Sequence, residues 1–265
     1  MEIVQSNEAF KTVAGKFQFQ YVAGIVRNGG VLYTAKWVDR KQKPSDFSQL
    51  YDVQPLKTED RGPAVSPTWV VGPADNCFVK TPSLFGYASK SDLERRILRE
   101  VETCETLRDH PHRNIASYLG YRETRGRVSG LCFKRYTSTL LERVNPGHLN
   151  KSAFRSSRRP SIDKKLESSL AGILEGIRHL HSLGLAHNDI NPANIMFDED
   201  DTPVLIDFDS CRRFGESLRD TETKRTHGWH DTKVEVALAK NDLDAFLELQ
   251  TWFFGSSSDE FLLKG

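Results

Sequence analysis

The stretch HNDINPANIMFDEDDTPVLIDFD, residues 187–209, contains seven acidic residues, three asparagines and one histidine around two short apolar runs. The runs NIMF and PVLIDF are typical of strands, and DEDDT between them is typical of a turn, so the stretch predicts a β-hairpin. Asp189 and Asn194 precede this turn, and Asp207 closes the second strand. We therefore expect these three side chains to lie together, and their oxygen atoms suit Mg²⁺ better than zinc.

The composition gives no sign of a nucleic-acid or membrane partner. The chain of 265 residues has 37 basic and 36 acidic residues and a net charge of +1, so no overall charge favours a nucleic-acid or membrane partner. The start, MEIVQSNEAF, does not resemble a signal peptide, and no apolar run is long enough to span a bilayer. Four scattered cysteines predict reduced, buried thiols. We expect a cytoplasmic or nuclear protein.

The part of the chain before residue 137 has a mainly β pattern. Asn28-Gly29 between QFQYVAGIV and VLYTAKWV predicts a hairpin, and PTWVVG and CFVKTP around PADN predict a second one. The polar residues 39–67 between these hairpins predict a loop. Ser91, with Glu94 three residues later, predicts a capped helix that continues to Leu107. Two further strands are predicted, in IASYLGY and RVSGLCFKRY.

The second part of the chain has a helical pattern. TSTLLERV predicts a short helix, residues 150–161 predict a basic, serine-rich loop, and residues 162–183 predict a long amphipathic helix that stops at Gly184. After the opening stretch, residues 242–253 predict a last helix. The sequence therefore predicts an α+β fold with two lobes and a cleft between them.

HNDINPANI resembles the catalytic loop of eukaryotic protein kinases, H-R-D-x-x-x-x-N, and LIDFD resembles the strand that ends in their D-F-G motif. THGWHD is similar to the end of a kinase activation segment, and NDLDAFLEL is similar to the helix that anchors the larger lobe. The sequence most resembles small, divergent kinase-like proteins of filamentous fungi. The resemblance implies a two-lobed protein kinase-like fold. It assigns residues 1–60 to a β-rich extension of the N-lobe, 61–136 to an N-lobe with one helix, and 137–265 to a mainly helical, shortened C-lobe.

The resemblance also implies roles for individual residues. Asp189 would orient the substrate hydroxyl, and Asn194 and Asp207 would hold Mg²⁺. Lys80 would bind the phosphates of ATP and pair with Glu100 on the first helix, with Glu102 as the alternative partner. The segment FKRYTSTL would be the hinge that binds adenine. The remaining residues with an implied role are Lys134 and Tyr136 in the hinge, and His187 and Asp242 as structural members of the catalytic loop.

Four departures from the kinase pattern bear on activity. No G-x-G-x-x-G precedes the lysine, and Gly62 and Gly72 are isolated and each followed by proline, so amides that cover the phosphates are not evident. Asn188 replaces the arginine that receives a phosphorylated activation loop. Asn191 replaces the usual lysine, which removes a positive charge near the transferred group. Asp209 replaces the glycine of D-F-G and adds negative charge.

Three functions stay open from the sequence. The first is a serine/threonine protein kinase that uses ATP and Mg²⁺ and acts on a protein substrate. The second is a pseudokinase that works as a binding or scaffold module. The third is a small-molecule phosphotransferase of the aminoglycoside-kinase type, whose loop is also H-x-D-x-x-x-x-N. THGW and the helix ending HPHRNI favour the protein kinases.

Overall fold

An antiparallel four-stranded sheet forms the N-terminal part of the chain in the computed structural model. In pairing order its strands are β1 (Glu2–Val13), β2 (Lys16–Asn28), β3 (Val31–Trp37) and β4 (Tyr51–Pro55). Gly29 and Gly30 join β2 to β3 with φ of 57° and 80°, values that glycine adopts without steric cost. The hairpin predicted at Asn28-Gly29 is therefore confirmed.

The prediction of a continuous loop over residues 39–67 was wrong. β4 lies inside this range and pairs with β3, with an irregularity between Thr34 and Lys36. A 3₁₀ turn, Phe47–Gln49, precedes β4, and the Asp46 side chain caps it by accepting the Ser48 N–H at 2.9 Å. The sequence YDVQP is mostly exposed and polar, so it lacks the alternation that marks a half-buried strand. Pairing with β3 makes it a strand.

The structure describes residues 1–13, 16–58, 61–88, 93–157, 164–219, 223–255 and 260–263. The chain divides into two compact units. The first comprises Met1–Ser66, Thr81–Ile97 and Glu123–Gly130, and the second comprises Pro67–Lys80, Leu98–Arg122 and Leu131–Gly265. Every residue that the sequence predicts for the site belongs to the second unit.

The remaining strands form three small sheets. They are β5 (Phe78–Lys80), β6 (Tyr118–Thr124), β7 (Arg127–Phe133), β8 (Ser138–Thr139), β9 (Leu185–Ala186), β10 (Ile195–Phe197), β11 (Pro203–Leu205) and β12 (Arg212–Arg213). The sheet orders are β5-β7-β6, β11-β10-β8 and β12-β9. The hairpin predicted in the opening stretch is confirmed, because β10 and β11 pair antiparallel with Met196 opposite Val204.

The second predicted hairpin, between PTWVVG and CFVKTP, was wrong. β5 pairs with β7, with Val79 opposite Cys132, whereas Val71 forms an isolated bridge to Tyr121. Prolines at both ends of the first segment, Pro67 and Pro73, have no N–H and shorten the run that can pair. The two segments are close in sequence but pair with different strands.

Six helices lie within the described residues. They are α1 (Leu84–Ala88), α2 (Leu93–Asp109), α3 (Leu140–Val144), α4 (Lys151–Ser156), α5 (Lys164–Ser182) and α6 (Ala239–Phe254). The helix predicted to reach Leu107 is α2, and its predicted face is buried. The helices predicted over 162–183 and 242–253 correspond to α5 and α6. The predicted N-cap Ser91 and the predicted start at Ile162 lie outside the described residues.

Helix α4 replaces part of the loop predicted over residues 150–161. Asn150 caps it by accepting the Ala153 N–H at 2.8 Å. Phe154 is 3% exposed, and its ring stacks on Trp252 of α6 with the centroids 4.5 Å apart. The basic and serine-rich sequence has no apolar periodicity that would predict this helix. Its buried aromatic contact comes from Phe154.

The predicted state of the cysteines agrees with the structure, in which all four are buried and free. None of the described helices has the length and apolar character needed to cross a bilayer. The fold mixes helices and sheets within one chain, in agreement with the predicted α+β class.

A glycine of α5 lets the segment before β6 lie directly on the helix. A Cβ atom at Gly176 would be 2.8 Å from the backbone oxygen of Asn114. Asn114 is 2% exposed, donates its side-chain N–H to the Pro203 oxygen at 2.7 Å, and accepts the Leu205 N–H at 2.9 Å. This contact therefore fixes β11, the strand that leads to Asp207.

We predict that Gly176→Ala destabilises the protein. Alanine favours a helix by about 1 kcal/mol over glycine, but overpacking against backbone costs about 1–3 kcal/mol, so we expect a net loss of about 1 kcal/mol. Urea unfolding followed by circular dichroism measures this difference. Gly147→Ala, in a turn, is the control for an alanine added in open space, since the nearest atom to its added Cβ is 3.9 Å away. Equal midpoints for the two variants would contradict the proposed packing.

Candidate active site

The loop that carries Asp189 is held by a buried carboxylate on α6. Asp242 has no exposed surface and accepts the backbone N–H of His187 at 2.8 Å and of Asn188 at 2.7 Å. It also bonds to the ring of His181 at 2.9 Å. The predicted structural contact between Asp242 and this loop is therefore present. Since α6 is itself packed in the core, these bonds fix the position of the loop relative to α6.

Asn188 stabilises the loop through hydrogen bonds of its side chain. It has φ of 63°, in the left-handed region where asparagine is better tolerated than most residues. Its side-chain N–H groups donate to the oxygens of Ala186 at 3.0 Å and Ser210 at 3.2 Å, and its Oδ1 accepts from Asn241 at 3.1 Å. Asn188 is 4% exposed. The residue that replaces the kinase arginine therefore connects the loop to the chain after Asp207.

His187 fixes the loop from the other side. Its Nε2 donates to the Ile206 oxygen at 3.0 Å, and its Nδ1 accepts the Asp189 N–H at 3.3 Å. These two bonds require the neutral tautomer with the proton on Nε2. His187 is fully buried, as its predicted structural role requires.

Asp189 and Asn194 are in direct contact. The Asn194 Nδ2 donates to the Asp189 carboxylate at 2.9 Å and to its backbone oxygen at 3.0 Å. This leaves the amide oxygen of Asn194 as the group that could bind a cation. The Ile206 N–H donates to the Asn194 backbone oxygen at 3.0 Å. This bond holds the chain next to Asn194 immediately before Asp207. The hairpin places the second acidic group as the sequence predicted.

Lys80 joins two carboxylates. It ends β5, and its Nζ bonds to Glu100 of α2 and, at 2.5 Å, to Asp207. Glu100 is the predicted partner, and the alternative, Glu102, is exposed. Asp207 has φ of 65°, in the left-handed region that residues other than glycine seldom adopt. Three of the predicted site residues therefore form one ion-pair cluster.

The electrostatics of this cluster favour the charged forms of Lys80 and Asp207. Burial alone would lower the pKa of Lys80, but the carboxylates of Glu100 and Asp207 outweigh it and raise this pKa. Burial alone would raise the pKa of Asp207, but the Lys80 ammonium outweighs it and holds this pKa below its usual value. Burial and the charge of Asp207 raise the pKa of Asp209. Asp209 therefore differs electrostatically from the glycine of D-F-G.

A cavity of about 390 Å³ adjoins the cluster. Lys80 and Asp207 are among its charged lining residues, and most of its wall is apolar. The lining residues are Phe78, Lys80, Ala116, Phe133, Lys134, Arg135, Tyr136, Met196, Ile206 and Asp207. Ser117 fixes the predicted hinge residues, because its N–H donates to the Tyr136 hydroxyl and its oxygen accepts the Lys134 N–H, both at 2.9 Å. The predicted hinge and the predicted phosphate-binding lysine thus line one cavity.

The isolated glycines serve close packing. A Cβ atom at Gly72 would be 2.5 Å from the sulfur of Cys132, and one at Gly62 would be 1.9 Å from the backbone oxygen of Val128. Each glycine therefore lies against a neighbouring segment, so neither has the open surroundings of a phosphate-binding loop.

Thr226 is a site residue that the sequence reasoning missed. Its N–H donates to Asp189 Oδ1 at 2.7 Å, and its hydroxyl donates to Asp189 Oδ2 at 3.1 Å. Asn191 reinforces this contact, because its Nδ2 donates to the Thr226 hydroxyl at 3.1 Å and to the Asp189 oxygen at 3.0 Å. The THGW segment was the available signal, but its threonine was one of many in a polar region.

The donor atoms present fit a nucleotide with a divalent cation. Among the described residues, no three His, Cys, Asp or Glu side chains are grouped so that they could hold a metal ion. A cation that takes oxygen ligands from Asp207 and Asn194 would need others from phosphates and water, as Mg²⁺ in nucleotide sites commonly does. The apolar walls of the cavity and the Lys80 ammonium suit a base and its phosphates respectively.

Several known protein kinases are similar to this chain in sequence. MAP kinase kinase kinase win1 of Schizosaccharomyces pombe is 29% identical over 121 residues, which are 46% of this chain and 8% of that protein. The Arabidopsis thaliana protein named mitogen-activated protein kinase kinase kinase 5 is 25% identical over 182 residues, 68% of this chain and 24% of its own. The G-type lectin S-receptor-like serine/threonine-protein kinase CES101, also from Arabidopsis thaliana, is 32% identical over 107 residues, 38% and 13%.

The chain spans at most 24% of the length of each of these three relatives. They come from a yeast and a plant, so the resemblance to filamentous fungi stays a prediction. Residues 79–234, more than half of the chain, match the family described as protein kinase domain. This match includes the loop, the hairpin and the Lys80 cluster, and it confirms the predicted protein kinase-like fold. The chain belongs to the protein kinase family.

Proposed function

We propose that the chain is a serine/threonine protein kinase that uses ATP and Mg²⁺. The observation that carries this proposal is the ion-pair cluster of Lys80, Glu100 and Asp207, in which Lys80 and Asp207 also line a mostly apolar cavity. Asp189 and Asn194 are hydrogen-bonded on the loop that leads into the same hairpin. These are the groups that phosphoryl transfer from a nucleotide requires. The relatives' names, which include serine/threonine-protein kinases, support the class.

On the nucleotide side, the cavity would take the adenine of ATP beside the hinge at Lys134 and Tyr136. Lys80 would bind phosphate oxygens, and Glu100 would hold the ammonium in place. Asp207 and Asn194 would hold Mg²⁺, which supplies positive charge to the phosphates when bound. Lys80 already has its pKa raised by two carboxylates, so it carries full charge at neutral pH.

On the acceptor side, Asp189 would orient the hydroxyl of a protein serine or threonine. The hydroxyl oxygen attacks the γ-phosphorus while the bond to the ADP oxygen breaks, and the hydroxyl proton passes to Asp189. Asn194 and Thr226 both donate to Asp189 Oδ2, so they hold the carboxylate in one orientation. The Thr226 N–H donates to Oδ1, so one lone-pair site of the carboxylate, on Oδ1, is left for the incoming hydroxyl.

We expect transfer to be slow. Asn191 keeps the loop in place by hydrogen bonds, but it is neutral and supplies no charge to the transferred phosphoryl group. Asp209 adds a partly buried carboxyl group close to Asp207, where the developing charge is negative. Both changes oppose transition-state stabilisation while leaving nucleotide binding possible.

A second candidate is a pseudokinase that binds nucleotide and works as a binding or scaffold module. The close packing of Gly62 and Gly72 favours it, because neither glycine is free to cover phosphates with its backbone. Binding and transfer must therefore be measured separately.

We predict that Asp189→Asn abolishes phosphoryl transfer. The amide is similar in size but cannot accept the hydroxyl proton, so labelling of the protein itself or of myelin basic protein should fall by about a hundredfold or more. Incorporation of radiolabel from Mg-ATP measures this. Glu199→Gln, a neutralised carboxylate at the exposed hairpin tip, is the control and should label as wild type does. Undiminished labelling of the Asp189 variant would refute the kinase proposal.

We predict that Mg-ATP raises the melting temperature of the wild type and that Asp207→Ala removes most of this shift. A ligand at a hundred times its Kd stabilises the folded state by about 2.7 kcal/mol, which corresponds to roughly 5 °C or more for a domain of this size. Differential scanning fluorimetry with and without Mg-ATP gives the shift for each variant. Asp200→Ala, on the hairpin turn, is the matched control.

The two measurements separate the candidates. A shift together with labelling supports the kinase, and a shift without labelling supports the pseudokinase. The absence of any shift in the wild type would exclude both candidates.

A further inference from the structure

Lys151, the first residue of α4, is a largely covered cation outside the nucleotide site. Its side chain is 14% exposed. Its Nζ bonds to the Glu248 carboxylate, to the backbone oxygen of Gly228 at 2.6 Å and to that of Leu263 at 3.1 Å. Its three donors therefore have three acceptors from three different parts of the chain.

Aromatic rings enclose the same ammonium. Its Nζ lies 4.9 Å from the ring centroid of Trp229 and 4.3 Å from that of Phe261. Cation–π attraction is strongest where water is excluded, and both rings are buried. The Lys151 ammonium thus has a fixed position rather than a solvated one.

Glu248 of α6 completes the arrangement. It has no exposed surface, and its second carboxylate oxygen accepts the Leu262 N–H at 2.8 Å. Burial lowers the pKa of Lys151, and the hydrogen bond that its ammonium donates to Glu248 opposes this. If either residue were removed, the other would keep a charge without its ion-pair partner in a place with little solvent, so the two residues act as a pair.

This pair is connected to Asp189 through one short turn. The Trp229 N–H donates to the Thr226 oxygen at 3.0 Å, which closes a turn over residues 226–229, and Gly228 has φ of 79° within it. At one end of the turn, Thr226 donates twice to Asp189. At the other end, the Gly228 oxygen accepts from Lys151. The turn is therefore held between the carboxylate and the lysine.

We infer that Lys151, paired with Glu248, is a positioning residue for the acceptor side of the site: it fixes the 226–229 turn and through it the contact of Thr226 with Asp189. Its consequence for catalysis rests on the proposed function, whereas its effect on the turn does not. Lys80, Glu100 and Asp207 are not among its contacts, so nucleotide binding should not depend on it.

The test uses the double variant Lys151→Met/Glu248→Leu. It removes the bond to Gly228 and replaces the whole ion pair by apolar groups, so that no unpaired buried charge is left and the fold is retained. Phe261→Ala is the control, because it loosens the C-terminal segment but leaves the Lys151 bond to Gly228.

Hydrogen–deuterium exchange of the Thr226 and Trp229 amides is the first readout. Both amides donate within the structure, to Asp189 and to the Thr226 oxygen. We expect exchange to be faster by about tenfold or more in the double variant, and near wild type in Phe261→Ala. Wild-type exchange in a folded double variant would overturn the inference. Equal acceleration in both variants would also overturn it, because the C-terminal segment would then be responsible.

The second readout separates positioning from general stability. In the double variant we expect the KM for myelin basic protein to rise, or kcat to fall, by about tenfold, while the Mg-ATP melting shift stays at the wild-type value. Loss of the Mg-ATP shift would overturn the inference, since it would mean a general effect. If the wild type transfers no phosphate, the proposed function fails, but the exchange result still decides whether Lys151 fixes the turn.

Discussion

The buried carboxylate of Asp242 is the interaction on which the rest of the proposed site depends. It accepts two consecutive backbone N–H groups, from His187 and Asn188, in a place without solvent. Without it, each of those donors would be buried and unsatisfied, at a cost of about 1–3 kcal/mol apiece. With it, the chain can take the left-handed conformation at Asn188 that turns Asp189 out of the loop. The position of the proposed base is thus set by a helix, α6, that does not itself belong to the cavity.

Two lysines with largely covered side chains show how the same side chain takes different roles. Lys80 has two carboxylates, Glu100 and Asp207, so its local charge is negative and its pKa is raised. This excess of negative charge suits a bound cation. When a nucleotide binds, Lys80 would exchange a carboxylate oxygen for a phosphate oxygen. Lys151 has a single carboxylate, Glu248, and two carbonyl oxygens, and burial lowers its pKa. Its neighbourhood is electrically balanced, which suits a permanent structural contact.

The sequence could predict the parts of the site that depend on local spacing. Asp189 and Asn194 lie on one loop, and β10–β11 returns the chain beside it, so their proximity followed from the hairpin pattern. The Lys80–Glu100 pair spans 20 residues, and the kinase resemblance supplied it. Thr226 lies 37 residues from the carboxylate that it contacts, in a polar region without periodicity. β4 and α4 were missed for a related reason, since pairing with β3 and one aromatic contact stabilise them rather than any pattern of their own.

The burial of Glu248 limits how this chain can change over evolutionary time. Lys151 and Glu248 are 97 residues apart, yet either one alone would leave a charge without a partner in the core, at a cost of about 3–5 kcal/mol. A pair of apolar residues at both positions would avoid that cost. The intermediate sequences, which carry only one of the two charges, are the least stable. The two positions are therefore expected to change together. A change from the charged pair to an apolar pair passes through a single substitution that lowers the free energy of unfolding.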